Sequence, residues 1–212
     1  MTFQTIIIIV LSTLLGFILI GVIIWRIWLK VNNKDAKNIN NNIGYTSKAT
    51  VDKLLILKNL TQSSVLTNIL IKNSFAKKGF SILSGVVITQ EKIFVISNII
   101  TSSNFEKIKI DSNGILLQAN KKRKYKENLK MSWLNEINKW MKHKFKDFFE
   151  IIILIDENIS SELIDNNSPY RTLNINSLSK EISQLSKKNL NPEKVVEMLL
   201  KRNLFKNNNN AI

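Results

Sequence analysis

Few side chains in this chain have the chemistry for catalysis. His143 is the single histidine, and there is no cysteine. That excludes Cys/His zinc sites and thiol nucleophiles. His143 lies in MKHKFK, among lysines, and reads as a solvated helix residue. No glycine-rich phosphate loop occurs among the six glycines. Glu91 falls in a turn, while Glu106 and Asp111 fall in one later hairpin, where a facing pair would be the one candidate acidic site. The expectation is a protein without enzymatic chemistry, cofactor or metal.

Charge is more informative. The net charge is +15. Part of it follows from a Lys-, Asn- and Ile-rich composition of the kind an AT-rich genome favours. Segregation does not. Lys121, Lys122, Arg123, Lys124, Lys126, Lys130, Lys139, Lys142, Lys144 and Lys146 crowd one block with Glu127 and Glu136. The following stretch reverses sign through Asp147, Glu150, Asp156, Glu157, Glu162 and Asp165.

Three readings of the block stand. A basic loop and helix neutralise nucleic-acid phosphates without reading sequence, with Tyr125 and Trp133 available to stack on bases. Alternatively the block touches anionic lipid, each cation contributing about 1 kcal/mol, with Trp133, Trp140, Phe145 and Phe148 at the interface. Or the aromatics are core and the lysines a solvated face. The acidic stretch 147–165, or a sheet edge, would suit a membrane-protein partner.

These residues must be held by a fold and a location. Ile6–Leu29 is apolar all round and contains no charged residue before Arg26. About 20 residues cross a bilayer core of ~30 Å, so residues 6–29 read as a single retained transmembrane helix. Trp25 and Trp28 suit the interface, and Ser12 with Gly16 form a small-xxx-small pair. Arg26, Lys30, Lys34 and Lys37 follow the span, which puts the N-terminus outside and the rest in the cytoplasm. Residues 30–50 are Asn-rich and read as a flexible tether of about 25 Å reach. The tail 205–212 is similar material.

Between them, 51–204 reads as one α/β (α+β) domain, a central mixed sheet flanked by helices. Helices are expected at Val51–Leu60, Leu129–Lys146 and Ser177–Lys187, with another opening at Asn191-Pro192. In the second of these, Leu134, Ile137, Met141 and Phe145 share a stripe. Strands are expected at Ser64–Asn73, Ile82–Thr89, Ile93–Ser97, Phe148–Ile155 and Tyr170–Asn174. FAKKGF is a turn, and Ser112-Asn113-Gly114 a hairpin.

The apolar frames LSGVVI and KIFVISNI, together with this element order, resemble the nuclease-related domain, NERD, of the PD-(D/E)xK nuclease-like fold. In that family the first strand carries Ile-Asp-His and the second Gly-Ile-Phe-Val-Ile-Glu-x-Lys. The resemblance covers most of 50–187 and implies a restriction-endonuclease-like core, often membrane-tethered. It sets Ser84 at the Asp position, Ser97 at the Glu position and Ile99 at the Lys position. A Mg²⁺ site needs carboxylate oxygens, so the resemblance implies a degenerate, inactive nuclease domain. Asn128-Leu129 and Ser132 likewise depart from the Asn-Pro and Gln that open the family's later helix.

Overall fold

The computed structural model describes Gly16 and residues 20–22, 46–101, 105–119, 125–186 and 189–205. The chain divides into two compact units, Met1–Gly44 and Tyr45–Ile212. In the first, Gly16 and Ile20–Val22 are helical. The rest of the expected span and tether, Lys121, Lys122, Arg123 and Lys124 of the basic block, and the tail from Lys206 lie outside the described residues. Among the described residues no helix is long and apolar enough to cross a membrane.

The second unit opens with α1, Lys48–Thr61. It starts before the expected Val51 because Ser47 caps it: its Oγ accepts from the Thr50 N–H at 3.2 Å. Three strands follow, β1 (Ser64–Lys72), β2 (Phe80–Ile88) and β3 (Ile93–Ile96). After β4 (Phe105–Ile110), β5 (Gly114–Ala119) and β6 (Tyr125–Lys130) comes α2, Met131–Phe145. The chain continues through β7 (Phe149–Leu154), β8 (Ile164–Asn166) and β9 (Arg171–Leu173). It closes with α3 (Ile175–Gln184) and α4 (Pro192–Arg202). Asn191 caps α4 as its sequence predicts, accepting from the Lys194 N–H at 3.0 Å.

The strands form two sheets rather than the single central sheet expected. The larger runs β1-β2-β3-β7-β9, and the smaller β6-β5-β4-β8. In the larger, β1, β2 and β3 are antiparallel neighbours, while β7 and β9 add parallel to β3. A parallel step from β3 to β7 needs a crossover, and α2 supplies it, with β4–β6 inserted ahead. The hairpin at Asn113-Gly114 forms as expected, and only glycine fits there: a Cβ on Gly114 would stand 2.2 Å from the Leu129 carbonyl oxygen. That contact exists because Leu129 pairs with Ile115 and Lys130 with Gly114. Part of the basic block expected as loop and helix is therefore strand, and α2 begins at Met131 rather than Leu129.

Apolar side chains fill both faces of the large sheet. Leu54 and Leu57 of α1 and Ile175, Leu178 and Ile182 of α3 pack on one face over Val87, Phe94 and Ile152. Leu134, Ile137 and Met141 of α2, Val195 and Leu199 of α4, and Ile108 and Ile115 of the small sheet pack on the other. Gly85 matters to the first face, since a Cβ there would meet Leu54 Cδ1 at 2.7 Å. Burying each such Leu or Ile stabilises the fold by about 1.5–3 kcal/mol before entropy. The second unit is thus an α+β domain with helices on both sides of a mixed sheet.

Candidate functional site

Two places concentrate the candidate residues: the end of β3, where the nuclease-like resemblance would set Ser84, Ser97 and Ile99, and the cationic surface of α2. At the first, Gly85 pairs with Ile96. That is the last pair of the ladder, and Ser84 and Ser97 are the next residues in the chain. Ser84 is half-buried and Ser97 is 6% exposed. The Ser97 N–H donates to the Ile152 carbonyl at 3.0 Å. Its Oγ accepts from the Leu154 N–H at 3.2 Å and donates to the Asn98 carbonyl at 3.1 Å.

The first turn of α1 closes over this end. Asn98 Oδ1 accepts from the Ser47 N–H at 3.0 Å and from Thr50 Oγ1 at 3.3 Å. Thr50, fully buried, accepts the Ile99 N–H at 2.9 Å. The Ile99 side chain joins the apolar core beneath α1. Thr46 extends the closure, donating its N–H to Asn68 Oδ1 at 2.6 Å and its hydroxyl to the Ser84 carbonyl. Asn68 sits at φ 54°, a left-handed kink in β1 that asparagine tolerates. Hydroxyls and amides therefore satisfy one another where a metal nuclease would present carboxylates to water. No buried side-chain polar atom among the described residues lacks a partner. Neutral groups so engaged offer a divalent cation no charge compensation.

The alternative acidic pair does not form. Glu106 lies at a bulge near the start of β4, and Asp111 just past its end. Five residues of strand separate them by roughly 16 Å. Asp111 instead accepts from the Asn113 N–H at 2.8 Å and pairs with Lys109 at 3.2 Å. The Asn113 N–H, followed by Lys109, holds its carboxyl below the usual range. Among the described residues no group of three His, Cys, Asp or Glu is placed to hold a metal.

The acidic stretch 147–165 is largely spent inside the fold. Glu150 takes Lys92 at 2.6 Å and Arg171 at 3.0 Å, Glu157 pairs with Lys53, and Asp156 Oδ1 accepts from the Asn158 N–H at 3.0 Å. A partner docking there would have to displace these contacts.

The basic block behaves differently. Lys130, Lys139, Lys142, Lys144 and Lys146 are exposed. Among the described residues the ion pairs use Lys53, Lys92, Lys109 and Arg171 and none of these five. Lys126 stands in β6, and its side chain lies outside the described set. Of the aromatics expected on this surface, Trp140 and Phe145 are core residues, 3% and 9% exposed, stacked edge-to-face at 6.3 Å. Trp133 is half-buried, while Tyr125 and Phe148 are exposed. An interfacial helix with Trp140 and Phe145 in lipid is thereby corrected: the stripe that faces the sheet also carries the large aromatics.

The structure adds residues that the sequence reading left as a plain turn. The β1–β2 connection packs beside α2, with exposed Phe75, Lys77 and Lys78. The Phe75 ring meets the exposed His143 ring edge-on, centroids 6.0 Å apart. The signal was present in FAKKGF, an aromatic beside two lysines, but nothing in it placed the turn against a helix sixty residues on. At the opposite end of the sheet, a cavity of roughly 350 Å³ is lined by Thr61, Ser63, Thr89, Ser186 and Glu91 among others. Compared with family models, curated proteins and solved structures, the chain matched none.

Proposed function

We propose that this protein is a membrane-anchored, catalytically inactive nuclease-like domain of the NERD type. It faces the cytoplasm from a span at residues 6–29 and binds nucleic acid non-specifically through its basic surface. The observation that carries the binding is the row of exposed lysines on and before α2 with no acidic partner among the described residues. Surface cations left unpaired are free to neutralise phosphates and release counterions, a gain that needs no base contact. The basic residues Lys121, Lys122, Arg123, Lys124 and Lys126 extend the same charge.

The nuclease-like reading is supported by the element order: helix, three antiparallel strands, three inserted strands, helix, parallel strand, two short strands and two closing helices. It is supported also by the antiparallel pairing of β2 with β3, whose last pair, Gly85 with Ile96, immediately adjoins Ser84 and Ser97 in the chain. The lack of activity follows from the residue types, since two hydroxyls and an isoleucine supply neither a metal cage nor a cation beside phosphate. A scaffold role in a membrane complex is the second reading. Internal pairing of Glu150 and Glu157 weakens its acidic docking surface.

Full-length protein in detergent, titrated with labelled DNA by filter binding, tests the first reading. Log affinity is expected to fall with log salt at a slope of roughly −0.7 to −0.9 per phosphate contacted. Undetectable or salt-independent binding would refute it.

A further inference from the structure

The turn between β1 and β2 is built around an exposed aromatic. Asn73 is fully buried and organises it. Its Oδ1 accepts the Phe75 N–H at 2.9 Å, and its Nδ2 donates to Ser81 Oγ at 2.9 Å and to the Glu136 carbonyl at 3.0 Å. The backbone closes with Ala76 N–H to Asn73 O at 3.1 Å, Gly79 N–H to Ala76 O at 2.8 Å and Asn73 N–H to Gly79 O at 2.8 Å. Gly79 takes φ +75°, which a side chain would resist.

All this order holds Phe75 in place 44% exposed, with the His143 ring edge-on to it. Lysines outnumber the one carboxylate, Glu136, among the described charged side chains named around it. Lys77 and Lys78 lie on the same turn, and Lys139 and His143 follow Glu136 at helical spacings of three and seven. The Glu136 carboxylate is already engaged by the Lys77 N–H at 3.2 Å.

A fixed, half-exposed ring bordered by cations is the arrangement that binds unpaired bases: the ring stacks on a base while ammonium groups hold the flanking phosphates. We propose that the β1–β2 turn is a stacking platform for single-stranded nucleic acid, with Phe75 as the stacking residue and Lys77, Lys78 and Lys139 holding the backbone. This rests on the nucleic-acid reading above and sharpens it, because a duplex keeps its bases stacked on one another and cannot use the ring.

The test measures binding of full-length protein in detergent to a labelled oligothymidine and to a duplex of equal length, for the natural protein, Phe75→Ala, Phe75→Trp and Lys78→Gln. Phe75→Ala is expected to weaken single-strand binding about 5- to 100-fold and leave duplex binding within about twofold, while Phe75→Trp restores it. Lys78→Gln should weaken both forms alike. Equal affinity of Phe75→Ala and the natural protein for the single strand, with salt-dependent binding intact, overturns the platform but leaves the nucleic-acid reading standing. Loss of both forms in Phe75→Ala and Phe75→Trp alike also overturns it, since that marks a structural role. Binding of neither form by the natural protein overturns both proposals. Phe75-dependent binding of phosphatidylserine vesicles in place of oligonucleotide overturns both as well, in favour of a lipid surface.

Discussion

The end of β3 and the turn beside α2 are both polar, yet they are built on opposite principles. Around Ser97 donors meet internal acceptors: Leu154 to Ser97, Ile99 to Thr50, Ser47 to Asn98. Around Phe75 backbone hydrogen bonds close the turn, but Phe75, Lys77, Lys78, Lys139 and Lys142 are exposed. The first arrangement spends its polarity on holding α1 against the sheet. The second leaves its polarity free for something outside the molecule. Buried polar groups stabilise a fold only when satisfied, so a closed network is a sign of structure. A fixed turn presenting unpaired charge is a sign of binding.

That contrast can be broken most forcefully at Ser97. Replacing it with glutamate, Ser97→Glu, would bury a carboxylate beside the Leu154 N–H. We expect a loss of about 3–5 kcal/mol in urea unfolding. A variant as stable as the natural protein and further stabilised by Mg²⁺ would mean that the site is still open to an ion, and the contrast would fail.

Tyr170, in the core on the α2 side of the sheet, gives a smaller and pH-selective effect. Its hydroxyl donates to Asn135 Oδ1 at 2.7 Å, and burial pushes its pKa up to about 12. The folded state thus favours the neutral phenol. Its contribution is complete below the unfolded pKa near 10 and is lost as pH rises toward 12. On the order of 2 kcal/mol should disappear across that window. Comparing Tyr170→Phe with the natural protein in alkaline unfolding curves isolates it, because the variant should lack this part of the decline. Identical curves would show that the phenol is not held neutral.

The smallest expected change in stability comes from the open region. Lys139→Gln combined with Lys142→Gln should alter unfolding free energy by no more than about 0.5 kcal/mol, while reducing the salt slope of DNA binding by roughly 2. A stability loss above about 1 kcal/mol would place these lysines with the structural residues and erase the distinction.

Much of the fold was legible from local pattern. Alternating and continuous apolar runs marked β1, β2, β3 and β7, and Asn-Gly marked the β4–β5 hairpin. The stripe through Leu134, Ile137, Met141 and Phe145 marked the buried face of α2. The misses share one cause. Leu129 and Lys130 look like the start of a helix until Ile115 and Gly114 claim them as strand partners. Leu55 is apolar yet 36% exposed, because Thr50, Leu54 and Leu57 define the buried side of α1. Trp140 next to lysines suggested an interface, but helical spacing turned it to the core.

By itself the sequence determined the charge segregation, the shortage of catalytic side chains, the apolar stretch at the N-terminus and the β-hairpin frame. These depend on residue type and near-neighbour spacing, which survive without a fold. Only the tertiary structure decided that the β4–β6 strands form a sheet of their own. It also closed the β3 end with the first turn of α1, and brought Phe75 to His143 on α2. Each of those depends on strand pairing or packing between residues far apart in the chain, where the choice of partner is made by burial and hydrogen bonding in three dimensions and leaves no local mark.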